Sequence, residues 1–79
     1  MQFKFKRHQK VVLLVDPDPE YVEYDPSLEK EVPIKKGALA EINILLPNGK
    51  YHVKIIDKKG NTIAYAPFNE EDLGPIDQV

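Results

Sequence analysis

Between Asp16 and Asp25 the chain reads DPDPEYVEYD, with Asp16, Asp18, Glu20, Glu23 and Asp25 crowding carboxylates into one short stretch. Oxygen ligands at that density could hold a hard cation such as Ca²⁺. A helix-flanked calcium loop, however, needs glycine at its sixth position, and counted from Asp16 that position is Tyr21. Pro17 and Pro19 hold the backbone away from a tight coil, and no helices flank the segment. No metal is expected there. The chemistry left is that of a charged surface carrying two aromatic rings. Tyr21 and Tyr24 would either form one wall of a peptide groove, as in the recognition of proline-rich ligands, or cover the end of a small barrel with their hydroxyls in water. The residues expected to meet a partner are Asp16, Asp18, Glu20, Tyr21, Glu23 and Tyr24. Their charge would steer a basic protein towards them.

The remaining reactive side chains do not assemble into a catalytic set. His8 and His52 are the only histidines, and neither has a Cys, Asp or His at ligand spacing. Apart from tyrosine, Ser27 and Thr62 are the only hydroxyl nucleophile candidates. No enzyme activity and no cofactor are expected. Lys50, Lys54, Lys58 and Lys59 fall on or beside one hairpin, and with Lys35 and Lys36 they offer a second function class, contact with nucleic-acid phosphates. The competing explanation is a charged edge that blocks strand addition. A net charge of −2 is also far from the basic footprint of a dedicated nucleic-acid coat.

The chain of 79 residues makes a single domain, spanning 1–79. It contains no cysteine, so no disulfide or thiolate site supports the core. No apolar run approaches the roughly 18–20 residues that span a bilayer. MQFKFKRHQK lacks a following h-region, so no signal peptide is expected and the cytoplasm is the expected location. Charge comes in blocks: a basic start (Lys4, Lys6, Arg7, Lys10), an acidic segment over 16–31, lysines from 35 to 59, and acids again from Glu70. Abundant Lys and Glu, no Cys and seven prolines fit a thermophile's usage.

Strands must position these groups. Phe3-Lys4-Phe5-Lys6 alternates like a half-buried strand within a basic arm, 1–9. Val11 to Val15 is a continuous apolar run that reads as a strand covered on both faces, stopped by Asp16-Pro17. Residues 16–33 form a long acidic loop, in which Tyr21, Val22 and Tyr24 could give a short strand. Lys35-Lys36-Gly37 reads as a turn. Ala40, Ile42, Ile44 and Leu46 then share one face, with Glu41 and Asn43 on the other. Asn48-Gly49 makes a tight hairpin through its tolerance of positive φ. Tyr51, Val53 and Ile55 point inward, while His52, Lys54 and Ile56 face the other way. A second hairpin at 57–61 leads to a strand ended by Pro67. Asn69-Glu70-Glu71-Asp72-Leu73 reads as one helical turn with Asn69 as its N-cap, and Leu73 and Ile76 would tuck back before a last strand at 76–79.

This order resembles that of the SH3-like barrels in a family of small bacterial and archaeal proteins. It is more distantly similar to the barrels of the nitrile hydratase beta subunit, the ferredoxin-thioredoxin reductase variable chain and the photosystem I E subunit. The residues that carry the likeness are Val11-Val12-Leu13-Leu14, Lys36-Gly37, Gly49-Lys50-Tyr51-His52-Val53-Lys54-Ile55-Ile56-Asp57, Gly60-Asn61-Thr62-Ile63-Ala64 and Glu70-Glu71-Asp72-Leu73. They span 10–76. Two features depart from that pattern: Ala40 stands near where a second glycine is usual, and the acidic loop is longer. The resemblance implies an all-β SH3-like barrel of five or six short strands with one helical turn near the C-terminus. It also implies a non-catalytic accessory or interaction role. The expected function is protein binding through the acidic loop, as an accessory subunit, a small regulator or the neutralising partner of a toxin-like protein. The alternatives are nucleic-acid binding by the lysines and a homodimer formed through strand Phe3–Lys6.

Overall fold

Strict alternation decides which side chains reach the centre. A computed structural model describes residues 4–76. Six strands form one antiparallel sheet: β1 (Lys10–Leu13), β2 (Glu23–Tyr24), β3 (Leu39–Leu45), β4 (Lys50–Ile56), β5 (Thr62–Asn69) and β6 (Leu73–Pro75), in the order β2-β5-β4-β3-β1-β6. Two 3₁₀ turns, Pro19–Tyr21 and Glu70–Asp72, are the only helical elements among the described residues. The fold is all-β and barrel-like, with its core on one face of the sheet. Directly opposed residues share a face. Val11, Ala40, Ile55 and Ala64 therefore form one inward row, fully buried, and Tyr24 extends it at the β2 edge. The row beside it, Lys10, Glu41, Lys54, Tyr65 and Glu23, faces outward.

Several expectations need correction. Lys4–Lys6 belong to no strand, although Phe5 is buried in the core; Phe3 lies outside the described residues. β1 is not covered on both faces: Val12 is half-buried, and Leu14 and Val15 run on beyond the strand, exposed. A bulge between Ile42 and Ile44 adds one residue to β3. Because side chains alternate with period two, that extra residue reverses the pattern. Ile44 therefore turns outward and Leu45 packs against the core. Ile56 follows a second irregularity and is buried, but outside the central cluster. In the Asn48-Gly49 turn only Gly49 takes positive φ, at 75°. Pro67 does not end β5; it pairs with His52 inside the strand. β2 reaches only Ala64 and Tyr65, so no strand flanks Pro67 on its far side, and a proline is tolerated at such an edge. The last strand is 73–75, not 76–79. Ile76 is exposed, and positions 77–79 lie outside the described residues. Pro75 blunts the β6 edge as Pro67 blunts that of β5.

One polar cluster ties the N-terminal segment to this body. The Tyr51 side chain is fully buried. Its hydroxyl donates to Glu70 Oε2 at 2.6 Å and accepts from the Phe5 amide at 3.1 Å. The Lys4 amide donates to the same carboxylate oxygen at 2.8 Å, and the Phe5 ring meets Tyr51 edge-on, with centroids 5.6 Å apart. Asn69 occupies the cap position of the last 3₁₀ turn but makes no side-chain cap bond. The tyrosine hydroxyl, and next the Lys4 amide, hold the Glu70 carboxyl below its ordinary value. A depressed folded-state pKa gives stability that is complete above the unfolded value, about 4.3, and lost as pH falls through the lower folded value. Acid titration of unfolding should therefore be shallower for Glu70→Gln than for wild type, with the remaining slope left to Asp25 and Asp57, which are also lowered. Tyr51→Phe should lower denaturant stability by about 1–3 kcal/mol, and equal stability of the two proteins would refute the clamp.

Candidate functional site

The long connection from β1 to β3 is closed at its neck. The Leu13 amide donates to the Ala38 carbonyl at 3.0 Å, and the Gly37 amide returns a bond to the Leu13 carbonyl at 2.7 Å. Gly37 has φ of 95°, a left-handed conformation that glycine adopts at no steric cost. Asp16 Oδ1 then accepts the Lys36 amide at 2.7 Å. Further along, Asp18 caps the first 3₁₀ turn by accepting the Glu20 amide at 3.0 Å, with Pro19 preset for the first position. β2 crosses to the far edge of the sheet and pairs with β5. The Asp25 amide prolongs that pairing onto the Ile63 carbonyl at 2.9 Å. Asp25 Oδ1 accepts from the Ser27 amide and hydroxyl at 2.8 and 2.7 Å. The hydroxyl bond is the main reason its carboxyl lies below the usual range. Tyr24 hydroxyl donates to the Val32 carbonyl at 2.8 Å. The radius of gyration, 11.8 Å, is that of a compact chain of this length, about 12 Å, so the loop lies folded on the body.

Folded this way, the loop encloses a cleft of about 320 Å³ lined by Pro17, Pro19, Pro33, Tyr24 and Ile34, with Glu31 beside them. The expected site residues therefore separate into four groups. Asp16 and Asp18 spend an oxygen each on backbone amides. Tyr24 is half-buried and walls the cleft. Tyr21, 60% exposed, stands beside a second hollow of about 280 Å³, with Lys50, Pro67 and Asp72, so the two tyrosines do not share a wall. Among the described residues the carboxylates of Glu20, Glu23, Glu29 and Glu31 make no hydrogen bond or ion pair. His8 and Glu41, 3.4 Å apart, form the only ion-pair geometry among the described residues. Glu31, Pro33 and Ile34 were not singled out from the sequence, because the cleft joins the two ends of the loop; only the neck bonds bring them together.

The six lysines do not form one surface. Lys35 and Lys36 lie on the turn before β3, next to Lys58 and Lys59. Lys54 stands on the outer face between Glu41 and Tyr65, and Lys50 begins β4 at its other end. Beside Lys54, His52 stacks on Tyr65 (5.5 Å, 12°), and its Nδ1 lies 3.1 Å from the Asn43 amide nitrogen. The β3 bulge brings Asn43 there, and a bulge leaves no mark in an alternating sequence. No group of three or more His, Cys, Asp or Glu side chains among the described residues is placed to hold a metal ion.

No family model, curated protein or solved structure matches the chain. Asp16→Ala should release the loop neck. The expected outcome is amide exchange at Lys36 faster by about tenfold or more, with the β4 amides unchanged; equal protection at Lys36 would show that the neck closes without the carboxylate.

Proposed function

We propose that the protein is a non-catalytic interaction module, whose loop from Asp16 to Ile34 receives a basic segment of another protein. The observation that supports this reading is the preformed cleft of prolines and Tyr24 with Glu31 at its edge; among the described residues neither Glu31 nor the loop's Glu20, Glu23 and Glu29 has an ion-pair partner. A groove already in place avoids the ordering cost that weakens binding by flexible segments. Prolines and tyrosine supply apolar contact, and Glu20, Glu23, Glu29 and Glu31 supply charge-assisted hydrogen bonds to lysine or arginine. The exposed Tyr21 ring adds a face over which a guanidinium can lie. An accessory subunit, a small regulator or the neutralising partner of a toxin-like protein would each use such a surface. The SH3-like resemblance supports this class of role, and fold alone does not select among its members.

The test is capture of partners from the protein's own cell lysate by the tagged chain, after nuclease treatment, read by mass spectrometry. A stoichiometric protein partner is expected, and replacing Glu20, Glu23, Glu29 and Glu31 by glutamine should weaken its binding by about tenfold or more. Undiminished binding by that variant would remove the loop from the interface. Loss of every partner on nuclease treatment would favour nucleic-acid contact by the lysines.

A further inference from the structure

At the opposite end of β4 from Lys50, the turn Lys35–Gly37 and the hairpin after Ile56 lie side by side, because Leu39 pairs with Ile56. Between them is a cleft of about 470 Å³, floored by Gly37, Ala38, Leu39 and Ile56 and edged by Asp57 and Lys58. Access is open above Gly37, where no atom lies within 4 Å of an added Cβ. Lys58 edges it, Lys35, Lys36 and Lys59 flank its lining residues in the chain, and all four are exposed; none has a carboxylate within ion-pair distance among the described residues. The two acids beside it, Asp16 and Asp57, are already engaged: Asp16 Oδ1 accepts the Lys36 amide at 2.7 Å. Asp57 Oδ1 accepts the Lys59 and Asn61 amides at 2.9 and 2.8 Å, and its Oδ2 accepts from Asn61 Nδ2 at 3.3 Å.

We propose that this lysine-rimmed apolar cleft is a second docking surface, and that its occupant is an acidic peptide segment of a protein partner presenting an apolar side chain. The apolar group would cover Ala38, Leu39 and Ile56, while its flanking carboxylates meet the four ammonium groups. Charge complementarity selects an anion. The floor then selects a peptide over a nucleic acid, because single-stranded nucleic acids are held by stacking on aromatic rings and no aromatic residue lines the cleft. This surface is opposite in charge to the acidic loop and stands or falls apart from it.

Fluorescence anisotropy with a fluorescein-labelled peptide, Asp-Glu-Leu-Asp-Glu-Phe-Asp-Glu, tests the proposal. Binding should be measurable at about 100 µM protein or below. It should weaken by about tenfold or more in the double variant Lys35→Glu, Lys58→Glu, and equally when Leu and Phe of the peptide are replaced by Ser. Both lysines are exposed, and an unchanged melting temperature would show the variant folded. The pair Lys6→Glu, Lys10→Glu makes the same charge change elsewhere and should leave binding within about twofold. Four results would overturn the proposal: no binding, equal binding of the Ser peptide, equal weakening by both double variants, or tighter binding of a thymidine oligonucleotide than of the peptide. Self-association in sedimentation that the Lys35→Glu, Lys58→Glu variant abolishes would assign the cleft to a second copy of the chain and overturn it too.

Discussion

The two backbone hydrogen bonds between Leu13 and the Gly37–Ala38 segment are the constraint on which the rest of the structure depends. They close a loop that would otherwise cost loop-closure entropy with nothing to repay it. They also set where β3 begins, and through the β3–β4 and β4–β5 registers they set the whole sheet. With the neck closed, the loop has enough length to cross to the far edge, where Glu23 and Tyr24 pair with β5. The same segment is therefore both the cover of the barrel's open side and the bearer of its acidic surface. A loop that only decorated the fold would need neither the pairing to β5 nor the Asp16 and Asp18 caps.

Charge in this molecule is segregated rather than paired. The outer row of Lys10, Glu41, Lys54, Tyr65 and Glu23 alternates in sign across the strands, as opposed residues of a stable sheet should. Away from that row the signs part company. Carboxylates gather on the loop, and lysines gather at the junction of the turn before β3 with the hairpin after β4. Exposed ion pairs contribute little to stability, so the scarcity of such pairs among the described residues costs the fold little. It leaves two fields of opposite sign available for steering partners.

Much of the fold was legible in the sequence. Ala40, Ile42, Tyr51, Val53 and Ile55 announce the core by alternation, and all are buried. Gly49 and Gly60 mark both hairpins. What alternation could not reveal is where it breaks. The extra residue near Asn43 reverses the facing of Ile44 and Leu45 without altering the local composition. Pro67 looks like a strand terminator unless the shortness of β2 is known. Phe5 reads as part of a strand because it is apolar between lysines; in fact its place is fixed by Tyr51, distant in sequence. Composition marks the acidic loop, but it does not show that the loop's carboxylates are not equivalent. Asp16 and Asp18 precede prolines, Asp16 holding the loop neck through the Lys36 amide and Asp18 capping the 3₁₀ turn; Asp25 holds a turn, and Glu20, Glu23, Glu29 and Glu31 make no hydrogen bond or ion pair among the described residues. The cleft itself depends on the neck bonds and could not be read from any local pattern.

Everything proposed for the acidic loop requires it to be a preformed surface. Backbone ¹⁵N relaxation of the free protein measures this directly. The account predicts order parameters of about 0.8 or above from Asp16 to Ile34, close to those of β4; values below about 0.6 across that segment would mean a flexible chain with no standing cleft, and would contradict it.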